Sequence, residues 1–309
     1  MPLRVAVEPP FDFELSLRFV CEPPRAAAHL MTAPASAADV CCGREYRRVL
    51  ALPLRPVLAL IRNQGTVDRP RIEARTVPRD LSATERQEVG RQVRHILSGE
   101  VRLAEFYGLA ARDPVLQRLA ERFHGLKVIR TPSLYECLVG TVLEQQLNFH
   151  FASTVKRRLL EKFGVRVAYG EREHLGFPRP EDLAKLHSGD LRPLQISERK
   201  ASYLIGIAAA TAGGSLNESR LRELPLAAAA ERLQVLRGVG RWTAEYALLR
   251  GVGHGDALPA DDVGLQKTVG ELYDLRGYAS ALAIRRRWRA LAPWRGYAAF
   301  YCWFTQWQS

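Results

Sequence analysis

The spacing of hydrophobic and polar positions along this chain changes near residue 80. Before it, short apolar runs alternate with polar residues or stand between prolines. Phe11 to Val20 puts Phe11, Phe13, Leu15, Leu17 and Phe19 on one side and Asp12, Glu14, Ser16 and Arg18 on the other. That is the period of a half-buried antiparallel strand. Pro23 and Pro24 end the run, and the Ala-rich segment that follows to Asp39 suits a short helix better than a strand. Tyr46–Leu52, Val57–Arg62 and Arg71–Val77 are expected as further strands, parted by Pro53, Pro56, Asn63, Gly65 and Pro70. Residues 1–80 thus predict a small antiparallel sheet module.

From Ser82 the period becomes helical. Ser82 and Glu85 have the spacing of a capping box, and Ser98-Gly99 stops the helix. Further helices are expected at Pro114–Phe123, Ser133–Leu147, Ala152–Phe163, Pro180–Leu186, Glu198–Ala212 and Leu226–Leu236. Trp242–Arg250, Val263–Tyr273, Ala279–Ala292 and Gly296–Trp307 complete the set. Strand signals almost vanish after residue 80, so residues 81–309 read as an all-helical body. The fold class is α+β, mainly α.

Composition adds a charge and removes some chemistries. The formal net charge is +12 over 309 residues, and arginine outnumbers lysine, which suits bidentate phosphate contacts. A solvated basic surface would give the same totals, so charge raises nucleic-acid binding without deciding it. Cys21, Cys41, Cys42, Cys137 and Cys302 contain no CxxC pair, which speaks against zinc and iron–sulfur sites. An odd, scattered set also speaks against a disulfide framework and suits a reducing compartment. The N-terminus lacks the basic-then-apolar pattern of a signal peptide, and no apolar run is long enough to span a membrane. A cytoplasmic, monomeric protein is the expectation.

The informative stretch is Leu233 to Leu265. Two helical runs meet through Arg237-Gly238-Val239-Gly240, a helix–hairpin–helix at 226–250. Glycines there allow positive φ and close approach of a ligand to the backbone. The second helix would offer free N–H groups and its positive dipole end to a phosphate diester, a contact that positions without reading sequence. Gly238, Val239, Gly240 and Arg241 are the candidate phosphate-binding residues. An ordinary αα-turn would contain the same glycines, and for a bare Gly-Val-Gly it is the commoner explanation.

The residues further along change that balance. L-x-G-V-G-R-W-T-A is followed by a Gly/Pro-rich loop and then L-P-A-D-D at a helix start. With V-L-E-Q-Q-L at 142–147, F-P-x-P-E-D-L at 177–183, S-E-R-K-A at 197–201 and P-W-R-G-Y-A at 293–298, this resembles the helix–hairpin–helix DNA glycosylase superfamily. Within it the likeness is to the bacterial 3-methyladenine DNA glycosylase II type, from about Pro114 onward. The resemblance implies a catalytic Asp262, with Asp261 its solvent-facing or helix-capping neighbour. It implies an aromatic base pocket of Trp242, Tyr246 and Trp303, with Trp288, Trp294 and Trp307 read as core. It places Gln146 at the DNA wedge with Gln145 beside it, and leaves Leu147 as an alternative wedge. It also implies a monovalent cation (Na+ or K+) on the backbone carbonyls of Gln234, Leu236 and Gly238, with no other cofactor.

The chemistry agrees with these assignments. Cleaving an N-glycosidic bond develops positive charge on the sugar, which a carboxylate beside C1′ stabilises. At ~4 Å and an effective dielectric near 20 that attraction is about 4 kcal/mol. Superfamily members that also cut the strand carry a lysine two residues after the second hairpin glycine, and here that residue is Trp242. A monofunctional hydrolase that leaves an abasic site and lacks AP-lyase activity is therefore expected. An aromatic cleft suits a cationic alkylated purine through stacking and cation–π contact, which places the protein in base excision repair of alkylated duplex DNA. Two other readings stay open at this point: a glycosylase of the same fold for an oxidised or deaminated base, and a non-catalytic hairpin that only binds DNA. Lys156, Arg157 and Arg158 are either DNA-backbone contacts or a solvated helix face.

Overall fold

The computed structural model describes residues 2–22 and 38–307. Its first segment overturns one expectation. Phe11 to Val20 is not a strand but belongs to helix α1 (Phe13–Cys21). Over nine residues an alternating pattern and a helical one overlap, and Phe13, Ser16, Leu17 and Val20 share a buried helical face. Asp12 breaks the tie, because its side chain accepts the Leu15 N–H at 2.9 Å and caps the helix. The Ala-rich segment expected as a short helix lies largely outside the described residues.

The expected strands are present as β3 (Glu45–Ala51), β4 (Pro56–Asn63) and β5 (Ile72–Val77). Strands β1 (Leu3–Val5) and β2 (Asp39–Cys42) extend them, in the spatial order β1-β5-β4-β3-β2, with every pairing antiparallel. Tyr46, Leu50, Val57, Ala59 and Ile61 fall on one face and pack against Val89, Val93 and Ile96 of α2 (Ala83–Ile96). Ser82 and Glu85 form the capping box that starts this helix. The expectation of no disulfide also fails: Cys21 at the end of α1 is bonded to Cys41 on β2. The two are 20 residues apart in sequence with Cα atoms at 6.0 Å, a proximity created by the sheet and invisible in cysteine spacing.

The helical body follows with α3 (Leu103–Ala110), α4 (Pro114–Arg122), α5 (Leu134–Glu144) and α6 (Phe149–Phe163). A hairpin of β6 (Arg166–Tyr169) and β7 (Arg172–Leu175) comes next, then short α7 (Pro180–Leu183) and α8 (Ser188–Leu191). α9 (Glu198–Ala212), α10 (Glu218–Glu223), α11 (Leu226–Gln234) and α12 (Arg241–Ala247) lead to α13 (Val263–Leu272), α14 (Ala281–Arg287) and α15 (Arg295–Phe304). The β6–β7 hairpin was not expected. Its strands are four residues long and carry charged residues outward, so no alternating signal builds up, yet Val167 packs with Val49, Leu58 and Leu60 under the sheet.

Helix α5 is the axis of the body, with every residue from Leu134 to Leu143 buried. Phe19 of α1 packs against both this core and the sheet core, so the module and the body meet along α1. Among the described residues, no helix is long and apolar enough to cross a membrane.

Candidate active site

The hairpin forms as expected. α11 ends at Gln234, the chain turns through Gly238 at φ +86°, and α12 starts after Gly240. Gly238 is required twice over: its φ is in the left-handed region, and a Cβ there would lie 2.3 Å from the Tyr203 ring. Tyr203 is itself held by Arg199, whose Nε donates to its hydroxyl at 2.6 Å. No side chain caps α12 at Gly240, which leaves the first N–H groups of the helix for an outside acceptor. Arg241 is exposed beside them and pairs with Glu245 at 3.3 Å. Val239 is buried and anchors the turn.

Asp262 sits where the loop after α12 returns. It caps α13, its Oδ1 accepting the Leu265 N–H at 2.7 Å. The capping role therefore belongs to Asp262 and not to Asp261, which is exposed and paired with Arg285 at 3.0 Å. Two indoles also hold the carboxylate. Trp242 Nε1 donates to Oδ2 at 3.1 Å and Trp303 Nε1 donates to Oδ1 at 3.0 Å. Three donors on one carboxylate fix its orientation.

Those indoles line a cavity of about 300 Å³, shared with Asp262 and Tyr246. Trp242 stacks on Tyr246 with ring centres 5.7 Å apart, and Trp303 meets Tyr246 edge-on at 6.0 Å. The size is at the small end of ligand pockets and suits one flat heterocycle. Arg250 lies buried at the floor, donating from Nη1 to the Tyr246 hydroxyl at 3.1 Å and from Nε to the Ile129 carbonyl at 2.9 Å. Burial pushes the Tyr246 hydroxyl up to about 12.

Four features of the cavity lie outside the expected set. Trp307, read as core, lines it instead, its ring tilted against Phe19 with centres 4.6 Å apart and its Nε1 donating to the Glu22 carbonyl. Trp288 is core as expected, and Trp294 packs against Phe106 and Tyr297. Phe149 at the start of α6 forms another wall. Asp39 and Glu136 lie at the floor with Arg250, Asp39 coming from the sheet module. Lys156 also lines the cavity, 3.9 Å from Glu144 and over the Phe177 ring. Only an unbroken aromatic spacing in the sequence would have announced Phe19 and Trp307, and they lie at opposite ends of the chain.

The candidate wedge residues separate. Gln145 turns inward, its Nε2 donating to the Gly238 carbonyl at 3.0 Å and to Thr243 Oγ1 at 2.9 Å. Gln146 is exposed, at φ +59°, and Leu147 is half-buried. Lys200 braces this bend by donating to the Leu143 and Gln145 carbonyls. Arg157 and Arg158 are half-buried on α6, with Arg158 bonded to Gln195. The Leu236 and Gly238 carbonyls each accept one hydrogen bond, from Val239 N–H and Gln145, which leaves each a second lone pair.

A hairpin with open amides, a fixed carboxylate at the next helix and an aromatic cavity beside it stand together in the structure. Residues 139–293 match the HhH-GPD superfamily of base excision DNA repair proteins, and the chain belongs to that superfamily. It is 33% identical to a DNA-3-methyladenine glycosylase of Bacillus subtilis over 73% of this chain and 74% of that one. It is 30% identical to DNA-3-methyladenine glycosylase 2 of Escherichia coli, over 62% and 65%. In fold it is similar to the 3-methyladenine DNA glycosylase of Archaeoglobus fulgidus, at a TM-score of 0.81 and 24% identity over 98% and 97% of the two chains.

Proposed function

We propose that this chain is a monofunctional DNA glycosylase that flips alkylated purines of the 3-methyladenine type out of duplex DNA and hydrolyses their glycosidic bond. The observation that carries the reading is the grip of Trp242 and Trp303 on Asp262, because the same two rings wall the cavity that would hold the base. The base would enter between Trp242, Tyr246 and Trp303. Its C1′ would then face Asp262, which stabilises the oxocarbenium-like transition state and orients the attacking water. Gly238, Val239, Gly240 and Arg241 would hold a backbone phosphate, and Gln146 or Leu147 would fill the gap left in the duplex. The Gln234, Leu236 and Gly238 carbonyls would hold a monovalent cation, whose charge offsets that of the phosphate.

Hydrolysis without strand cleavage follows from Trp242 standing where a Schiff-base lysine would be needed. Lys267 is exposed and paired with Glu271 at 3.8 Å. Lys156 lines the cavity from α6, 3.9 Å from Glu144, and stands outside the hairpin motif. Incubation with methylated duplex should release 3- and 7-alkylpurines, detected by chromatography, and borohydride should trap no covalent complex. Trapping that is lost in Lys156→Ala would replace the hydrolytic reading with a lyase.

A further inference from the structure

The cavity's walls and its floor differ in chemistry. The walls are aromatic. The floor carries Glu136 from α5 and Asp39 from β2, and both are tied to Arg48, a β3 residue only 1% exposed. Arg48 Nη2 pairs with Glu136, and Nη1 lies 3.4 Å from Asp39. Tyr46 donates its hydroxyl to Asp39 as well. Arg48 Nε and Nη1 find no hydrogen-bond partner among the described residues. Glu136 has two oxygens and about four acceptor positions; Arg48 pairs with it from behind, and it keeps acceptor capacity for a group in the cavity it lines.

The charge of the lining points the same way. In a chain of net charge +12, five residues lining the cavity are carboxylates and two are cations. Stacking on the walls is indifferent to which purine lies between them, because every base has a π face. The floor is not indifferent, since a group that only accepts leaves a base without N–H donors unsatisfied. The Cys21–Cys41 bond joins the end of α1, which carries Phe19 of the cavity and is followed by Glu22, to the strand that carries Asp39. The sheet module therefore reaches the cavity as one connected piece.

We propose that Glu136, with Asp39 beside it, determines specificity by accepting hydrogen bonds from N–H groups on the edge of the extruded base. The inference rests on the cavity being the lesion pocket. Purines that keep an amino or ring N–H on that edge, such as 7-methylguanine, are preferred over 1,N6-ethenoadenine, whose amino nitrogen is closed into a ring. Arg48 and Tyr46 are positioning residues that hold the two carboxylates.

The test compares single-turnover release of 7-methylguanine and 1,N6-ethenoadenine from otherwise identical duplexes, for the wild type, Glu136→Gln and Asp39→Asn. Affinity for a duplex with a tetrahydrofuran abasic analogue and the melting temperature are measured on the same samples. Loss of one charge-assisted contact should lower the wild-type preference for 7-methylguanine about tenfold in Glu136→Gln, read as the ratio of the two release rates, with abasic-DNA affinity as the control for DNA binding. Should Glu136→Gln lose abasic-DNA binding or melt early, Asp39→Asn gives the decision by the same ratio. An unchanged ratio in a folded variant, or equal loss on both bases, overturns the inference and leaves the glycosylase reading standing. No release of either base by the wild type overturns both.

Discussion

Two sites share helix α12 and are made of different material. At its N-terminal end the hairpin offers backbone: uncapped amides after Gly240 and a turn that only glycine fits at Gly238. Along its flank Trp242 and Tyr246 offer side chains, which become a site only when α13, α15, α1 and β2 bring Asp262, Trp303, Phe19 and Asp39 to them. A backbone site treats all DNA alike, because every phosphate is the same. A side-chain site selects, because its groups differ from position to position. Gln145 joins the two, bonding the hairpin carbonyl of Gly238 and the α12 residue Thr243. Under the proposed function, binding and choosing would be adjacent in the structure and separable by mutation.

The strongest test of that separation is Gly238→Ala. A non-glycine residue at φ +86° costs about 1–3 kcal/mol, and the methyl would also displace the Tyr203 ring. Affinity for undamaged duplex, read by fluorescence anisotropy, should fall at least ~10-fold with a lowered melting temperature. Release measured at saturating enzyme should stay near wild type. A next, smaller effect belongs to Trp303→Phe, which keeps an aromatic wall and removes one of the indole donors that hold Asp262. Release should slow by about tenfold, the worth of one hydrogen bond to a charged group, while duplex affinity holds. If affinity falls as much as release, the two sites are not separable in this way.

The smallest effect concerns pH. Burial holds the Tyr246 hydroxyl up to about 12, so its phenol stays protonated at pH 10, where a free tyrosine would be half ionised. The pH–rate profile should therefore show no alkaline limb near 10 that disappears in Tyr246→Phe. Such a limb would mean that the ring is solvated and does not form a dry pocket wall.

The sequence carried the two sites unequally, for the same physical reason. The hairpin, the start of α13 and the bounds of α9 are local features, written in glycines, caps and helical period within a few residues of each other. Asp262, Trp242, Tyr246 and Trp303 were legible because their motifs stand in order along the chain, and the structure brings all four into one cavity. The floor and far wall were not legible. Phe19 was hidden in a segment whose alternation imitated a strand until Asp12 capped it as a helix. Trp307 looked like one more core tryptophan, and no motif singled out Glu136 or Asp39. Their meeting with Arg48 depends on the packing of α5 against β2 and β3, which no local pattern records.

The central claim is that Asp262, gripped by the two indoles, performs the excision. Single-turnover release of 3- and 7-alkylpurines from methylated duplex, wild type against Asp262→Asn, tests it most directly. Removing the charge should remove about 4 kcal/mol of transition-state stabilisation. That predicts release slowed by about three decades with abasic-DNA affinity retained. Wild-type release rates in a folded Asp262→Asn protein would contradict the account.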